Sequence, residues 1–531
     1  MTDTLTRRSR LLTLAGVLLA LFLSSLDQTI VATALPRIVA DLHGFDRFAW
    51  VATAYLVAST ALVPVYGKLA DMYSRRNIEV TAILIFLLGS ALCGLAGEFG
   101  TLPLLGDGMS QLIIFRAVQG LGGAGLLAMA FIIIADLFPP AERGKYQGFV
   151  GATFGLSAVL GPFLGGLLTD HGSGIIPGLA GWRLVFYVNL PLGLLALWFI
   201  LTKMPRLKPR GEKKPLDYLS ALLLITGLVP LVLGLQLNKA QHAWTSPLTL
   251  SLFGGAAVAL VLFVLRSLRC ANPILELRLF RNPVFRAANI ATFLLGGAFL
   301  SIVIFEPLFM INVVGVSATQ AGVSLIPLSL GVVLGSMLAG QMVARFGHYK
   351  RWMLAGGLVL LVGQSLLATM PATIGYGQVL LYVLICGAGL GPSMPLYTLA
   401  IQNAIEPCFT GQATSASQFF RQIGGAMAAA VLGTILTLSL AEHLPASSAA
   451  GAATTISAAA AEAPTVVARA VPALPTVEVR AAFTHAISRV YLATMCLVFC
   501  GWLATLFIPE LPLRNSNLAR PAPALATRGR E

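Results

Sequence analysis

The chain is 531 residues long, 57% hydrophobic and only 11% charged, with a mean hydropathy of +0.84. A stock of about 300 apolar residues exceeds what one soluble core consumes, which excludes a soluble enzyme, a nucleic-acid binder and a disordered scaffold. The net charge is +14, from 35 Lys and Arg against 21 Asp and Glu. With a cytoplasmic N-terminus, 26 of the basic residues fall on that side, 7 on the other and 2 inside apolar runs. Such a bias orients a membrane protein rather than recruiting nucleic acid. It predicts a multi-pass protein of the inner membrane with both termini cytoplasmic.

The apolar total matches fourteen spans of roughly 20 residues each. The first predicted helix, 11–35, follows Arg7, Arg8 and Arg10 and resembles a signal peptide in its flank, but its length and Asp27 argue for a retained span. Further runs at 49–66, 78–97, 111–137, 147–168 and 184–202 complete a first six. The segment 203–214 then carries six basic residues, read as a topogenic anchor. Two more runs, 216–237 and 247–265, form an inserted pair, closed by a charged stretch at 266–286. A second six follows at 287–314, 321–346, 352–370, 379–400, 415–440 and 490–508. The predicted organisation is therefore a bundle over 1–202, a linker with two extra helices over 203–286, a second bundle over 287–508, and a tail over 509–531. Within the second bundle, 441–489 is a long outer loop, low in complexity and rich in Ala, read as a spacer or as a contact for an amphipathic substrate or external partner.

Internal repetition supports the six, two, six arrangement. Gly67-Lys-Leu-Ala-Asp-Met-Tyr-Ser-Arg-Arg76 returns, weakened, as Gly340-Gln-Met-Val-Ala-Arg-Phe-Gly-His-Tyr349, after the second helix of each block. Parallel repeats of this kind point to a transporter with its site between two bundles.

Ionisable groups inside a span cost roughly 2.5 to 3.5 kcal/mol on insertion scales, so each needs a reason. Asp27 and Arg116 lie at depths of about 12 Å and 8 Å from the outer ends of the first and fourth helices, which run in opposite directions. A carboxylate and a guanidinium at matching depth offset each other's desolvation. Glu306, before Pro307 in the ninth helix, has no partner in sequence; it either takes up a proton or meets a cation, or it snorkels outward. Arg421, in the thirteenth helix, is assigned a structural role. In the fifth helix Gly151, Gly155, Gly161 and Gly165 share one face beside Pro162, which allows close approach and a bend.

Enzyme-like patterns fail on context. Gly120-Leu-Gly-Gly-Ala-Gly125 fits a dinucleotide fingerprint but lies inside an apolar run, and Gly67-Lys68 and Gly144-Lys145 lack the rest of a phosphate-binding loop. The six cysteines show no metal spacing and are read as buried thiols, and the six histidines are read as loop or tail residues. No enzyme activity and no cofactor is expected.

The motifs together resemble the major facilitator superfamily, in its fourteen-helix drug:proton antiporter branch. Leu26-Asp-Gln-Thr-Ile-Val-Ala-Thr-Ala-Leu-Pro36 resembles the branch's first-helix signature, Gly67 to Arg76 its loop signature and Arg116-Ala-Val-Gln-Gly120 its fourth-helix signature. Gly155 to Gly166, with Gly161-Pro162, resembles the antiporter signature. Trp182-Arg183, Asn189-Leu-Pro191 and Phe420-Arg-Gln-Ile-Gly-Gly425 add further matches. The resemblance implies an all-α membrane protein of the major facilitator fold, two six-helix bundles plus two inserted helices, rocking about a central cavity. It implies proton coupling through Asp27, Arg116 and Glu306, a substrate cavity touched by Asp27, Gln119 and Glu306, and a cytoplasmic gate of Gly67, Asp71, Arg75 and Arg76. The antiporter motif comprises Gly155, Gly161, Pro162, Gly165 and Gly166. Ser74 and Ala344 depart from the pattern, the latter standing where the first copy has Asp71, so the gate is expected to be asymmetric. The predicted function is proton-driven export of amphipathic or cationic small molecules by a monomer in contact with membrane lipids. Export of a lipid or lipid-linked molecule is the alternative.

Overall fold

The structure, a computed structural model, describes residues 6–44, 47–103, 105–175, 178–205, 216–237, 242–270, 272–443 and 477–514. The basic run after residue 205, most of the Ala-rich loop and the tail beyond Arg514 lie outside the described residues. Among the described residues fourteen helices are long and apolar enough to cross a membrane. They are α1 (Arg7–Leu42), α2 (Trp50–Met72), α3 (Arg75–Gly94), α4 (Gly108–Leu137), α5 (Pro140–Gly172), α6 (Gly181–Lys203), α7 (Tyr218–Gln236) and α8 (Pro247–Arg269). The second half holds α9 (Pro283–Val314), α10 (Gln320–Phe346), α11 (Tyr349–Ala368), α12 (Tyr376–Ala404), α13 (Pro407–His443) and α14 (Val479–Leu506). Taken as crossings, an even number puts Thr6 and Arg514, the first and last described residues, on one side, here called the terminal face; the other is the far face.

Polar caps set where the helices start. Thr6, Asp107, Asp217 and Ser246 each accept a hydrogen bond from a backbone N–H of the first turn that follows, satisfying donors a helix cannot satisfy itself. Gly347, at φ +75°, stops α10 in the left-handed conformation. Several spans are interrupted: α6 changes register at Val188, α12 breaks at Gly391 and Pro392, and α9 ends in a π-helical turn, Met310–Val314.

The packing is two-fold repetitive. In the first bundle α1 lies on α5, and α2 and α3 flank α4; in the second α9 lies on α13, and α10 and α11 flank α12. The bundles meet where α5 of the first crosses α10 of the second and α13 of the second crosses α2 of the first. The inserted helices α7 and α8 pack on each other, and α7 rests on α2 and α13. The glycine run of α4 explains its central place. Side chains at Gly120 and Gly122 would run into the backbones of Tyr55 on α2 and Phe86 on α3, so their absence lets both neighbours approach.

Two expectations are corrected. Cys93 and Cys386 are buried, but Cys496 and Cys500 are exposed on α14 and Cys270 and Cys408 are half-exposed; a thiol on a spanning helix is apolar enough to face lipid. His171, His443 and His485 lie within α5, α13 and α14 rather than in loops, because these helices run past their apolar stretches, α14 beginning about three turns before its own.

Candidate functional site

Asp27 is fully buried inside the first bundle. Its Oδ2 accepts a hydrogen bond from Arg116 Nη1 on α4 at 2.5 Å, and Oδ1 accepts from Gln119 Nε2 at 2.8 Å and Asn189 Nδ2 on α6 at 3.0 Å. Arg116 Nη1 also donates to Gln119 Oε1 at 2.8 Å, its Nε to the Val51 carbonyl at 3.3 Å, and its guanidinium lies 4.6 Å from the Tyr55 ring centre. Asn189 is itself steadied by Ser90 Oγ at 3.0 Å. Three donors on one carboxylate satisfy its hydrogen bonding, the condition under which a buried acid–base pair is tolerated. A proton placed on Asp27 cancels one charge and leaves Arg116 uncompensated, so protonation must rearrange the cluster.

The structure thus brings Asp27, Arg116 and Gln119 together, all shielded from solvent in this conformation. Glu306 is elsewhere, in the second bundle on α9. It is fully buried rather than snorkelling. Ser324, Tyr376 and Tyr491 lie within electrostatic reach of it, but neither carboxylate oxygen is engaged by a hydrogen bond, and the Tyr491 hydroxyl is likewise unpartnered. Ser324 Oγ donates instead to the Ala321 carbonyl at 2.5 Å. Arg421 gives Nη2 to Gln418 Oε1, and its Nη1 is buried without a partner.

At the terminal face, Asp71 crosses the seam between the bundles. Its Oδ1 accepts the Gly411 N–H at 2.7 Å and its Oδ2 the Gln412 N–H at 2.9 Å, both in the first turns of α13, where unpaired amides favour an anion. A methyl group on Gly67 would lie 2.5 Å from Ser415 Cβ and 2.7 Å from the Gly411 carbonyl. Arg75 braces the carboxylate from its own bundle, with Nε 2.8 Å from Asp136 Oδ2 and Nη2 3.9 Å from Asp71 Oδ1. Arg76 turns away from the seam to the Leu201 carbonyl.

The second copy of the repeat keeps half of this arrangement. Gly340 opposes Gly144 of α5 as Gly67 opposes Gly411, and a methyl group on it would press into the Gly144 backbone. Ala344, lacking a carboxylate, makes no matching anchor. Along α5 the glycines divide by partner: Gly144, Gly148, Gly151 and Gly155 meet α10 across the seam, whereas Gly161 and Gly165 meet Thr29 and Thr33 of α1. Pro162 is exposed and Gly166 faces open space.

Sequence reasoning missed Gln402. Its Oε1 accepts from Gln147 Nε2 at 3.1 Å and Arg143 Nη1 at 3.5 Å on α5, and its Nε2 reaches the Phe131 carbonyl of α4 at 3.3 Å and Thr414 Oγ1 of α13 at 3.0 Å. The only signal available was a polar amide at the end of an apolar run. Beside it the tail segment closes the seam: Arg514 gives Nη2 to the Gln402 carbonyl at 2.8 Å, and its own carbonyl accepts the Ala141 N–H of α5 at 3.2 Å.

Comparison with known proteins agrees with this architecture. The family model described as Major Facilitator Superfamily matches residues 17–429. Multidrug resistance protein 3 of Bacillus subtilis (strain 168) is 39% identical over 436 residues, covering 82% of this chain and 81% of the relative. Multidrug transporter protein MdtP of the same organism is 38% identical over 429 residues, covering 80% of this chain and 75% of that one. Among solved structures, the human organic anion transporter MFSD10 (TETRAN) superposes with a TM-score of 0.58 at 15% identity, covering 92% of this chain and 99% of its own. The fourteen spans, the paired bundles and these matches agree: the chain belongs to the major facilitator superfamily and is a transporter, not an enzyme.

Proposed function

We propose that the protein is a multidrug exporter that exchanges protons for amphipathic or cationic small molecules by alternating access. The relatives named for multidrug resistance support the cargo class, and the buried Asp27–Arg116 pair supports proton coupling. With the termini in the cytoplasm, the seam at the terminal face closes the cytoplasmic mouth, and the protein is a monomer of the cytoplasmic membrane facing outward. A proton entering from outside competes with Arg116 for Asp27. Its arrival neutralises the carboxylate, frees Arg116, Gln119 and Asn189 to repack, and loosens the grip of α1 on α5 through Thr29 and Thr33. Release of the proton inward, when the seam has opened, resets the pair and favours return with cargo. Protons are the only coupling ligand this requires; no cofactor enters. Glu306, in the second bundle, is a second carboxylate within reach of the same exchange.

The single observation that carries the reading is the hydrogen-bonded cluster of Asp27, Arg116, Gln119 and Asn189 shut inside a spanning bundle. It is tested in proteoliposomes with ethidium as cargo, reading proton release on substrate addition. Wild type is expected to release protons and Asp27→Asn to release none while still binding ethidium; full coupling in Asp27→Asn rejects the assignment.

A further inference from the structure

Glu79 has no part in the exchange just described. It sits on α3 one turn beyond Arg75, is fully buried, and neither of its carboxylate oxygens has a hydrogen-bond donor. The helices that pack on α3 are α2, α4 and α6. From α2, Tyr66 lies within electrostatic reach of it. The acidic groups nearby, Asp71 of α2 and Asp136 of α4, are both held by Arg75. Of the cations, Arg75 is spent on those two, Arg76 on the Leu201 carbonyl, and Lys203 at the end of α6 is exposed and turned to the Trp198 ring. A carboxylate closed off from water and from donors costs several kcal/mol to keep ionised, whereas its protonated form costs far less.

Its position connects it to the Asp27 cluster. Tyr55 and Tyr66 are eleven residues apart on α2, which at 100° per residue places them on nearly one face about three turns apart. Both converge on bare backbone of α4: Gly123 lies against the Tyr55 ring, 2.8 Å from a methyl position to Cζ, and Gly125 against Tyr66, with Cε1 at 2.7 Å. Tyr55 Oη is 2.8 Å from Ser24 Oγ, and its ring lies beside Arg116. A discontinuous polar column thus descends from Asp27 through Tyr55 and Tyr66 to Glu79, one turn short of the seam.

We infer that Glu79 is a second proton-binding carboxyl of the first bundle, protonated while Asp71 holds α13 and unloaded toward the terminal face when α2 and α13 part. In that step the Glu79 O–H bond breaks, its electron pair stays on the carboxylate, and the proton passes to water admitted through the opened seam. Arg75, released from Asp71 and spaced four residues from Glu79, then meets the new charge. The inference deepens the proton-exchange reading and rests on it for the direction of transfer, but not for the presence of the proton.

The experiment has two arms on the purified full chain in lipid nanodiscs and proteoliposomes. Infrared difference spectra read the C=O stretch of protonated carboxyls. Wild type minus Glu79→Gln is expected to show loss of one such band, Glu79→Asp to shift it, and Asp27→Asn to keep it. No difference between wild type and either Glu79 variant overturns the inference, and the Asp variant decides the matter if the Gln variant does not fold. In the second arm, Glu79→Gln is expected to retain ethidium exchange at equal pH but to lose at least about tenfold of pH-driven accumulation, the loss of one 1.4 kcal/mol step of coupling. Unchanged accumulation overturns its part in the exchange. Full coupling in Asp27→Asn sinks the Asp27 reading and leaves the infrared result for Glu79 standing.

Discussion

Asp71→Asn tests how much of the closed seam rests on one side chain. The substitution keeps one acceptor oxygen, removes the charge, and turns an amide N–H₂ toward either the Gly411 or the Gln412 N–H, each now bonded at 2.7 Å and 2.9 Å. A hydrogen bond to a charged group contributes about 1.5–3 kcal/mol, and a carboxylate at a helix N-terminus about 0.3–1 kcal/mol more. Losing one such bond and the charge therefore costs the closed state about 2–3 kcal/mol, a shift of about 30- to 150-fold toward the open one. Double electron–electron resonance measures this between labels at Tyr73 and Phe346, which are 47% and 54% exposed on opposite bundles, with the native cysteines replaced. Wild type should give one short distance and Asp71→Asn a second, longer population. Identical distributions in the two proteins would refute the assignment of Asp71 as the main tie, leaving the Gly144–Gly340 approach and Gln402 to hold the seam.

Two further outcomes follow from other contacts. Gly340→Val forces a branched side chain into the Gly144 backbone, an over-packing cost of about 1–3 kcal/mol borne by the closed seam. Maleimide labelling at Ser336→Cys, a position buried against Gly148 and Gly151, should speed up about tenfold or more, and an unchanged rate would mean that α10 does not move off α5. At the far face, Arg47 donates to both oxygens of Asp107 at 3.0 Å and 2.6 Å and holds its carboxyl well below the usual carboxylate range, with the Ser110 N–H assisting. Because the folded value is depressed, the stabilisation is present at neutral pH and is lost as pH falls through and below the ordinary value of about 4. Thermal unfolding of Asp107→Asn should accordingly lie below wild type at pH 7 and converge with it in acid; a constant gap across that range would exclude the linkage.

What the amino-acid order revealed was the part of the fold governed by single-chain physics. Twenty-residue apolar runs must span, and basic loops orient them, so the fourteen helices and the inserted pair α7 and α8 could be read directly. The matching depths of Asp27 and Arg116 announced their meeting because both helices cross the same slab. Partners supplied by a third helix stayed hidden: Asn189 is one polar residue at the register break of α6, and nothing local says that it faces α1. Glu79 was overlooked for a related reason. It continues a charged loop in sequence, and only the packing of α2 and α4 over it turns a loop-like residue into a buried one. The repeat led by Gly67 and Gly340 was visible as a pattern, yet its purpose, backbone against backbone across the seam, depends on residues more than a hundred positions away. The thiols of Cys496 and Cys500 were misplaced because an apolar residue in a membrane has two acceptable destinations, protein or lipid.

The segment ending at Arg514 is moored unevenly. Leu511 gives its N–H to Tyr349 Oη at 2.8 Å, Asn403 Nδ2 reaches the Pro512 carbonyl at 3.2 Å, and Arg514 clasps the Gln402 carbonyl, all within the second bundle. The Ala141 N–H, donated to the Arg514 carbonyl, ties it to the first. When the halves swing apart that bond gives way, and Arg514 travels with the second half. A fluorophore attached at Arg514, paired with one beside Arg7, therefore becomes a pointer to which mouth is open.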